Sequence, residues 1–279
     1  MSVRLDVLLV TRGLVESRAR AKAAIEAGGV IVDGRPAAKA SELVSEDAVV
    51  TVEEPHPWVG RGALKLVDAL DRWSIPVAGR TVLDVGTSTG GFTEVCLSRG
   101  AARVFAVDVG FGQLHPRVAV DPRVVNLERT DARTLSPTVI PNPPDLVVCD
   151  ASFISLAKVL PAALELAGEA ADLVALVKPQ FEADGPQAIG KGGLVKDSDA
   201  RAAAVDRVST WLDEVGWGVL ATAKSPIIGG DGNIEHLLWA RRRPSSQPPC
   251  GERSRHPKKQ PPADCSAGGA RHDPDRQGG

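Results

Sequence analysis

The stretch DVGTSTGG, residues 84–91, combines one acid with three glycines directly after an apolar run that predicts a buried strand. Ligands of open α/β sheets bind at the carboxyl ends of the strands, which is where this stretch falls. Gly86, Gly90 and Gly91 would let the backbone approach a ligand closely. The spacing is not the G-x-G-x-x-G of dinucleotide sites, and Asp84 would repel a pyrophosphate but favour an ammonium group, directly or through water.

Two more acids follow the next two predicted strands. Asp108 ends the second strand, where it could accept hydrogen bonds from both hydroxyls of a ribose, and Asp131 follows the third, where it could accept one from an adenine amino group. An ammonium, a ribose and an adenine in that order describe S-adenosylmethionine. An NAD(P) site and glycines that only turn the chain remain as alternatives at this point. The predicted cofactor-binding residues are Asp84, Gly86, Ser88, Gly90, Gly91, Phe92, Asp108, Val109, Asp131 and Ala132.

Asp150 and Lys178 end the fourth and fifth predicted strands, at the same edge of the sheet. A desolvated lysine there could have its pKa lowered and remove the proton from a ribose hydroxyl as it attacks a sulfonium methyl group, whereas a plain surface lysine is the alternative. The (D/N)-P-P-(Y/F) clamp of amino-directed methylation is missing from the segment DASF. Cys149 lies one residue before Asp150 and points the other way, so carbon-5 methylation by a cysteine nucleophile is disfavoured.

The elements that must position these residues alternate between strand and helix, which predicts an α/β fold with a doubly wound, mostly parallel, seven-stranded sheet and an antiparallel last strand. We predict four regions: a small α/β module at 1–54, a linker at 55–62, a catalytic domain at 63–243 and a disordered tail at 244–279. The predicted strands are 81–86, 102–110, 123–128, 144–150, 171–179, 218–225 and 234–242, and the predicted helices are 63–73, one ending at Arg99, 155–168 and 198–216.

Residues 1–39 carry seven lysines and arginines against four acids, although the whole chain has a net charge of −2. The pattern predicts a helix ended by Gly13, a second helix capped by Ser17, a hairpin around Asp33 and Gly34, and a strand at 48–52. Arg18 and Lys22 would share one face of the second helix, either as an RNA contact or as an ordinary solvated face. This order of elements, with SRARAKAAIEAGGVIVDGRP at its centre, resembles the S4-like RNA-binding domain.

The catalytic domain in turn resembles the FtsJ-like ribose 2′-O-methyltransferases. Lys65 in GRGALKL, Asp150 in VVCDASFISL, Lys178 in LVKPQFE and Glu235 in GNIEHLLW match the K-D-K-E tetrad of that family. Together with the S4-like region, residues 1–243 resemble the TlyA (haemolysin A-like) family, which methylates cytidine ribose in 16S or 23S ribosomal RNA. The resemblance implies a Rossmann-like class I methyltransferase fold.

The resemblance also implies roles for these residues. Lys178 would be the base or the group that orients the 2′-hydroxyl, Lys65 and Asp150 would hold the ribose and tune Lys178, and Glu235 would pair with a lysine. The chain has no tyrosine, so a flipped base would stack on Phe111, Phe153, Phe181 or Trp58. We expect the loop 188–201 to contact phosphate, with a plain flexible connection as the alternative. The predicted RNA-binding residues are Arg4, Arg18, Arg20, Lys22, Lys191 and Lys196.

Two other functions stay open: an RNA-binding protein on an inactive methyltransferase scaffold, and a membrane-lytic protein. No apolar run approaches the roughly 20 residues of a membrane helix, so we expect a cytoplasmic protein without a membrane partner. The four cysteines form no C-x-x-C pair, so neither a metal site nor a disulfide framework is expected. Ribosomal RNA or ribosomal subunits are the expected partners, and the chain is expected to be a monomer.

Overall fold

A computed structural model describes residues 2–26, 28–52, 56–183 and 190–244, with Ala23 and Lys191 described by their backbone alone. The N-terminal module contains two helices and five short strands. Its elements are β1 (Ser2–Arg4), α1 (Leu5–Thr11), α2 (Arg18–Glu26), β2 (Val30–Val32), β3 (Arg35–Pro36), β4 (Leu43–Ser45) and β5 (Val50–Val52).

Helical spacing of Leu5, Leu8 and Leu9 gives α1 one apolar face, which is buried in a small core with α2 and the strands. The Ser17 hydroxyl accepts a hydrogen bond from the Arg20 backbone N–H and so caps α2, as predicted. The β2–β3 hairpin turns through Asp33, whose φ is 48°, and the glycine that follows it. The predicted hairpin is confirmed, whereas strands β1 and β4, which pair with each other, were not anticipated.

The catalytic domain alternates strands and helices around one large sheet. Its strands are β6 (Thr81–Val85), β7 (Arg103–Val107), β8 (Val124–Leu127), β9 (Leu146–Cys149), β10 (Asp172–Val177), β11 (Trp217–Lys224) and β12 (His236–Arg242). Its helices are α3 (Ala63–Arg72), α4 (Gly91–Ser98), α5 (Pro116–Ala119), α6 (Leu156–Val159), α7 (Pro161–Leu166), α8 (Pro179–Glu182) and α9 (Ser198–Glu214), with 3₁₀ turns at Ala132–Thr134 and Lys191–Gly193.

The seven strands lie in the order β11-β12-β10-β9-β6-β7-β8. Strands β10, β9, β6, β7 and β8 are parallel, and β12 runs antiparallel to both of its neighbours, β10 and β11. The central strands are buried along their whole length because apolar cores cover both faces of the sheet. The predicted α/β fold with an antiparallel last strand is confirmed.

The sequence-based boundaries differ from the structure at one clear point. The predicted helix over 155–168 is two short helices, α6 and α7, because Pro161 has no N–H to donate and begins a new helix after Leu160. Six of the seven predicted strands of the large sheet are one to four residues shorter in the structure, and the strand predicted over 218–225 keeps its length but is shifted by one residue, to Trp217–Lys224. Residues 53 and 54 at the end of the predicted region 1–54, residue 55 of the predicted linker, residues 188 and 189 of the predicted phosphate-contacting loop, and all of the predicted disordered tail except Pro244 lie outside the described residues.

Candidate active site

Four charged side chains meet at the carboxyl edge of the sheet in an alternating square of two lysines and two acids. Lys65 Nζ lies 2.7 Å from Glu235 Oε2 and 3.3 Å from Asp150 Oδ2. Lys178 Nζ lies 2.7 Å from Asp150 Oδ1 and 4.0 Å from Glu235 Oε1. The structure therefore brings all four members of the predicted tetrad together, although they are spread over 171 positions of the chain from Lys65 to Glu235.

Each member reaches this point from a different element. Asp150 follows β9 and Lys178 follows β10, so two parallel strands deliver them to the same edge. Glu235 precedes β12, and because β12 runs antiparallel to β10, the beginning of β12 lies at that edge too. Lys65 lies in the first turn of α3, on the face that the helix buries.

The square is buried and electrically balanced. The side chains of Lys65, Lys178 and Glu235 are each less than a tenth exposed, and that of Asp150 is 19% exposed. Burial by itself would lower the pKa of Lys65, but the charges of Asp150 and Glu235 outweigh it and raise that pKa above its ordinary value. Lys65 therefore keeps its positive charge.

Lys178 is oriented by more than its ion pairs. Its Nζ donates hydrogen bonds to the Ser152 hydroxyl at 2.7 Å and to the Asp150 backbone carbonyl at 3.1 Å. Sequence reasoning missed Ser152, although its position two residues after the strand-end acid was the available signal. These contacts fix the nitrogen in the wall of a cavity of about 590 Å³, which all four tetrad side chains line.

The glycine-rich loop after β6 forms another wall of this cavity, and its backbone conformation requires glycine. Gly86 has a φ of 82°, and a Cβ there would lie 2.9 Å from the Ala151 Cα. Gly90, with a φ of 95°, is the N-cap residue just before α4, and a Cβ there would meet Leu114 at 2.7 Å. Ser88 adopts a positive φ of 48° without being glycine. The loop is thus a close-fitting backbone cradle at the end of a strand.

Asp84 lies beneath this loop and is entirely buried. Its Oδ2 accepts a hydrogen bond of 2.6 Å from the Thr93 hydroxyl, while its Oδ1 has no hydrogen-bond partner among the described residues. Burial, followed by the nearby charge of Asp150, raises the pKa of Asp84 from 3.8 to about 7. A buried acid with an unpaired oxygen fits a positively charged ligand above the loop, although its full burial places it under the cavity wall and not on its surface.

Asp108 and Asp131 lie after β7 and β8, as predicted, but both are already engaged. Asp108 accepts hydrogen bonds from the backbone N–H groups of Ser88 and Gly110, at 2.8 and 2.7 Å. Asp131 caps the following turn and forms a bidentate ion pair with Arg133, which lowers the pKa of Asp131. The spacing D-A-R contained this pair, and sequence reasoning missed it.

The other predicted cofactor residues differ in how accessible they are. Val109 is 73% exposed at the strand end, whereas Phe92 and Ala132 are buried. Gly91 packs against α3, where a Cβ would lie 3.2 Å from the backbone nitrogen of Ala63. Phe92 therefore lines the cavity with little exposed surface, Ala132 supports the site from within the core, and Val109 offers an apolar surface beside Asp108.

Two aromatic rings stand at the cavity entrance. Phe153 is 90% exposed with a positive φ of 66°, and its ring centroid lies 5.3 Å from that of Phe181. Exposing a whole phenylalanine side chain is unfavourable unless another group covers it, so this pair is a candidate platform for a base. Phe111, also exposed, is covered on one face by the Arg129 guanidinium at 3.8 Å, and it does not line the cavity.

The N-terminal module also reaches the cavity, because Gly28 and Pro36 are among the lining residues. Of its predicted RNA-binding residues, Arg4, Arg18 and Lys22 line one surface cavity, which Arg20, though exposed, does not line. Lys196 is exposed on the catalytic domain, and the Lys191 side chain lies outside the described part of the structure.

Other kinds of site find little support. Cys149 is fully buried, and burial raises its thiol pKa to about 12, so it is poorly suited to nucleophilic attack. Over the ranges that the structure describes, no three His, Cys, Asp or Glu side chains gather into a possible metal site. No helix in those ranges is long and apolar enough to span a bilayer.

Comparison with known proteins gives two family matches. The FtsJ-like methyltransferase family matches residues 58–242, and the S4 domain matches residues 3–50. The 16S/23S rRNA (cytidine-2′-O)-methyltransferase TlyA of Mycobacterium tuberculosis is 52% identical over 240 residues, covering 85% of this chain and 89% of that protein. Hemolysin A of Brachyspira hyodysenteriae is 34% identical, covering 84% of this chain and 98% of the relative. A solved structure from Streptococcus thermophilus, provisionally named a hemolysin, has a TM-score of 0.69 and 37% identity over 87% of this chain and 89% of its own.

Proposed function

The chain belongs to the FtsJ-like methyltransferase family and has an S4 domain at its N-terminus, and from that premise we propose that it methylates the ribose 2′-hydroxyl of cytidine in ribosomal RNA. The observation that carries the proposal is the buried square of Lys65, Asp150, Lys178 and Glu235, all of which line the cavity. A relative that is 52% identical is named for this reaction on 16S and 23S rRNA.

We propose that S-adenosylmethionine is the methyl donor, which when bound would supply an electrophilic methyl group on a positively charged sulfur. Asp84 would stabilise the ammonium of its amino-acid part from beneath the loop, and Gly86 would let the backbone approach it. Asp108 would accept from the ribose hydroxyls with the lone pairs that its two backbone N–H donors leave free. Asp131 would reach an adenine amino group only while sharing its carboxylate with Arg133.

The chain's own chemical task is to align the acceptor hydroxyl and to receive its proton. Lys178 Nζ, held by Asp150 and Ser152, would either accept that proton or orient the hydroxyl oxygen by donating a hydrogen bond to it. Lys65, whose raised pKa keeps it charged, would hold Asp150 and Glu235 in place. Because these four side chains are already held in place by one another, the site needs little rearrangement as charge moves, so positioning supplies much of the rate.

RNA recognition would be divided between the two parts of the chain. The N-terminal module, proposed as residues 1–54, would grip the RNA backbone through its basic cavity, and the catalytic domain, proposed as residues 63–243, would receive the nucleotide. The exposed Phe153 and the half-buried Phe181 would stack on a base turned out of its helix. A complete and buried tetrad argues against a catalytically inactive scaffold, because buried charges are costly to keep without a use.

The direct test is methyl transfer from labelled S-adenosylmethionine to purified small and large ribosomal subunits that lack the modification. Wild type should label RNA at a cytidine ribose, and Lys178→Ala should lose transfer while still binding the donor in calorimetry. Lys158→Ala, which removes an exposed lysine, is the matched control and should transfer normally. Equal labelling by wild type and Lys178→Ala would refute the role of Lys178, and no labelling by wild type of either subunit would refute the function.

A further inference from the structure

A buried acid stands at the centre of the basic surface of the N-terminal module. Asp6 is 4% exposed, yet it lies in the first turn of α1 beside Arg4 and Arg18. Arg4 Nε and Nη2 donate to its two oxygens at 3.0 and 3.1 Å. Arg18 Nε and Nη2 both donate to its Oδ2, at 3.1 and 2.7 Å. One carboxylate therefore receives four hydrogen bonds from two guanidinium groups.

The backbone around Asp6 holds this carboxylate in place. The Asp6 N–H donates to the Ala40 carbonyl at 3.0 Å, and the N–H of the neighbouring Leu5 donates to the Glu42 backbone carbonyl. The segment 40–42 therefore fixes the start of α1. The hydrogen bonds from Arg4, followed by those from Arg18, lower the pKa of Asp6, which therefore stays negatively charged over the physiological range.

The two arginines are held on one side and accessible on the other. Their side chains are 46% and 60% exposed, and both line a surface cavity of about 620 Å³ together with Lys22 and Lys39. Each guanidinium has five N–H donors and uses two on Asp6, so three of each remain for an incoming ligand. Planar, pre-oriented guanidinium groups match phosphate oxygens, which they bind in pairs.

We infer that Asp6 is a positioning residue for RNA binding: it fixes the guanidinium groups of Arg4 and Arg18 so that they present their free donors to the phosphate backbone. This inference rests on the proposed function, since it takes RNA as the ligand of the basic cavity. Arg20 gives a contrast on the same helix, because it is exposed and its side chain forms no ion pair with any residue that the structure describes.

Two opposite expectations follow for removal of the Asp6 charge. If Asp6 acted only through its negative charge, Asp6→Asn would strengthen RNA binding, because one repulsive charge would leave the phosphate-binding surface. If Asp6 positions the arginines, the same variant should weaken binding, because an amide cannot hold two guanidinium groups and both side chains must then be ordered on binding.

The experiment measures binding of the full chain to purified, unmodified ribosomal subunits over a range of salt concentrations, together with methyl transfer. Asp6→Asn should bind about 5- to 10-fold more weakly, with an increased KM for the subunits and an unchanged kcat. Glu26→Gln is the matched control, because Glu26 lines the same cavity and pairs with Lys22 but contacts neither arginine. It removes the same charge and should bind as well as wild type or more tightly.

Several outcomes decide the inference. The inference would be overturned if Asp6→Asn bound the subunits as tightly as Glu26→Gln does, or if it lowered kcat instead of raising KM. Arg18→Ala should weaken RNA binding by a smaller factor in the Asp6→Asn background than in wild type. Additive losses of binding free energy would count against the positioning role. Wild type that binds neither subunit would instead refute the proposed function.

A measurement on wild type keeps the inference testable even if Asp6→Asn does not fold. Nuclear magnetic resonance relaxation of the arginine Nε–Hε groups should show Arg4 and Arg18 ordered and Arg20 mobile on the picosecond-to-nanosecond timescale. Equal mobility of the three side chains would overturn the inference, because a guanidinium that Asp6 does not order cannot be positioned by it.

Discussion

Replacing Asp84 by asparagine should make the protein more stable at neutral pH, although Asp84 is proposed to serve the cofactor. The asparagine side chain would have nearly the same shape, and its carbonyl oxygen could still accept the Thr93 hydrogen bond. The two side chains differ because aspartic acid can gain and lose a proton, whereas asparagine cannot. Burial raises the pKa of Asp84 from 3.8 to about 7, so between these values the folded chain holds a proton that the unfolded chain releases. Raising the pH through this range therefore favours the unfolded state.

The size of the effect follows from the shift. One pKa unit corresponds to about 1.4 kcal/mol, so a shift of this size lowers the free energy of unfolding of wild type by about 4 kcal/mol above neutral pH. Asparagine carries no such cost. The two proteins should be equally stable near about pH 4, and the advantage of Asp84→Asn should grow by about 1.4 kcal/mol per pH unit until about pH 7 and then level off.

Urea denaturation followed by tryptophan fluorescence, repeated from about pH 4 to about pH 8, measures this difference directly. The same substitution at the exposed Asp47 is the control for loss of one carboxylate. A stability difference that does not change with pH, or an Asp84→Asn variant less stable than wild type at about pH 8, would refute the reasoning. Calorimetry adds a second test: S-adenosylmethionine should bind wild type more tightly as the pH rises through about 7, and Asp84→Asn should show no such rise.

Four further predictions follow from the site. Gly86→Ala should lower the free energy of unfolding by about 1–3 kcal/mol in urea denaturation, because its φ is 82° and the new Cβ would clash with Ala151; wild-type stability would contradict this. Glu235→Gln should lower the free energy of unfolding by about 3–5 kcal/mol, since two buried lysines would share one carboxylate. An unchanged urea midpoint would count against a balance of charge among the four buried side chains. Phe153→Ala should reduce kcat/KM for RNA by about 5- to 150-fold at unchanged donor affinity in calorimetry, and full activity would exclude it as a stacking platform. Cys149→Ala should keep wild-type methyl transfer, and an inactive variant that still folds would revive a cysteine mechanism.

The sequence predicted the sheet well because its signals are local. A parallel strand buried on both faces must be a short apolar run, and the residue that follows it must lie at the carboxyl edge of the sheet. Asp150 and Lys178 could therefore be placed at one edge before the structure was known, and the structure puts their charged groups 2.7 Å apart. The short strands β1 and β4, of three residues each, give no such signal, since their pairing depends on contacts distant in sequence.

Other features depend on what packs against a residue, which a sequence pattern does not state. The sequence around Lys65 is typical of an ordinary surface lysine on a helix. In the structure, however, Lys65 lies on the buried face of α3 and forms ion pairs with two acids. Asp131 was expected to be free for a ligand, whereas Arg133, two residues on, shares its carboxylate. Asp6 could be counted among the charges of its region, but only the folded module shows that it joins two arginines separated by thirteen residues in the sequence.

The position of β12 sets the order in which the site can be assembled. During synthesis the N-terminal parts of a chain leave the ribosome and begin to fold first. Strand β12 is the last strand in the part of the chain that the structure describes, yet it lies between β10 and β11, so the sheet cannot close until it inserts there. Glu235 arrives with it, and until then Lys65 and Lys178 face only Asp150. A nascent chain that stops short of β12 would therefore keep an unbalanced positive charge at its sheet edge, which opposes burial of the unfinished site. Completion of the catalytic square thus coincides with completion of the fold, so a truncated chain would have no assembled site with which to act on RNA.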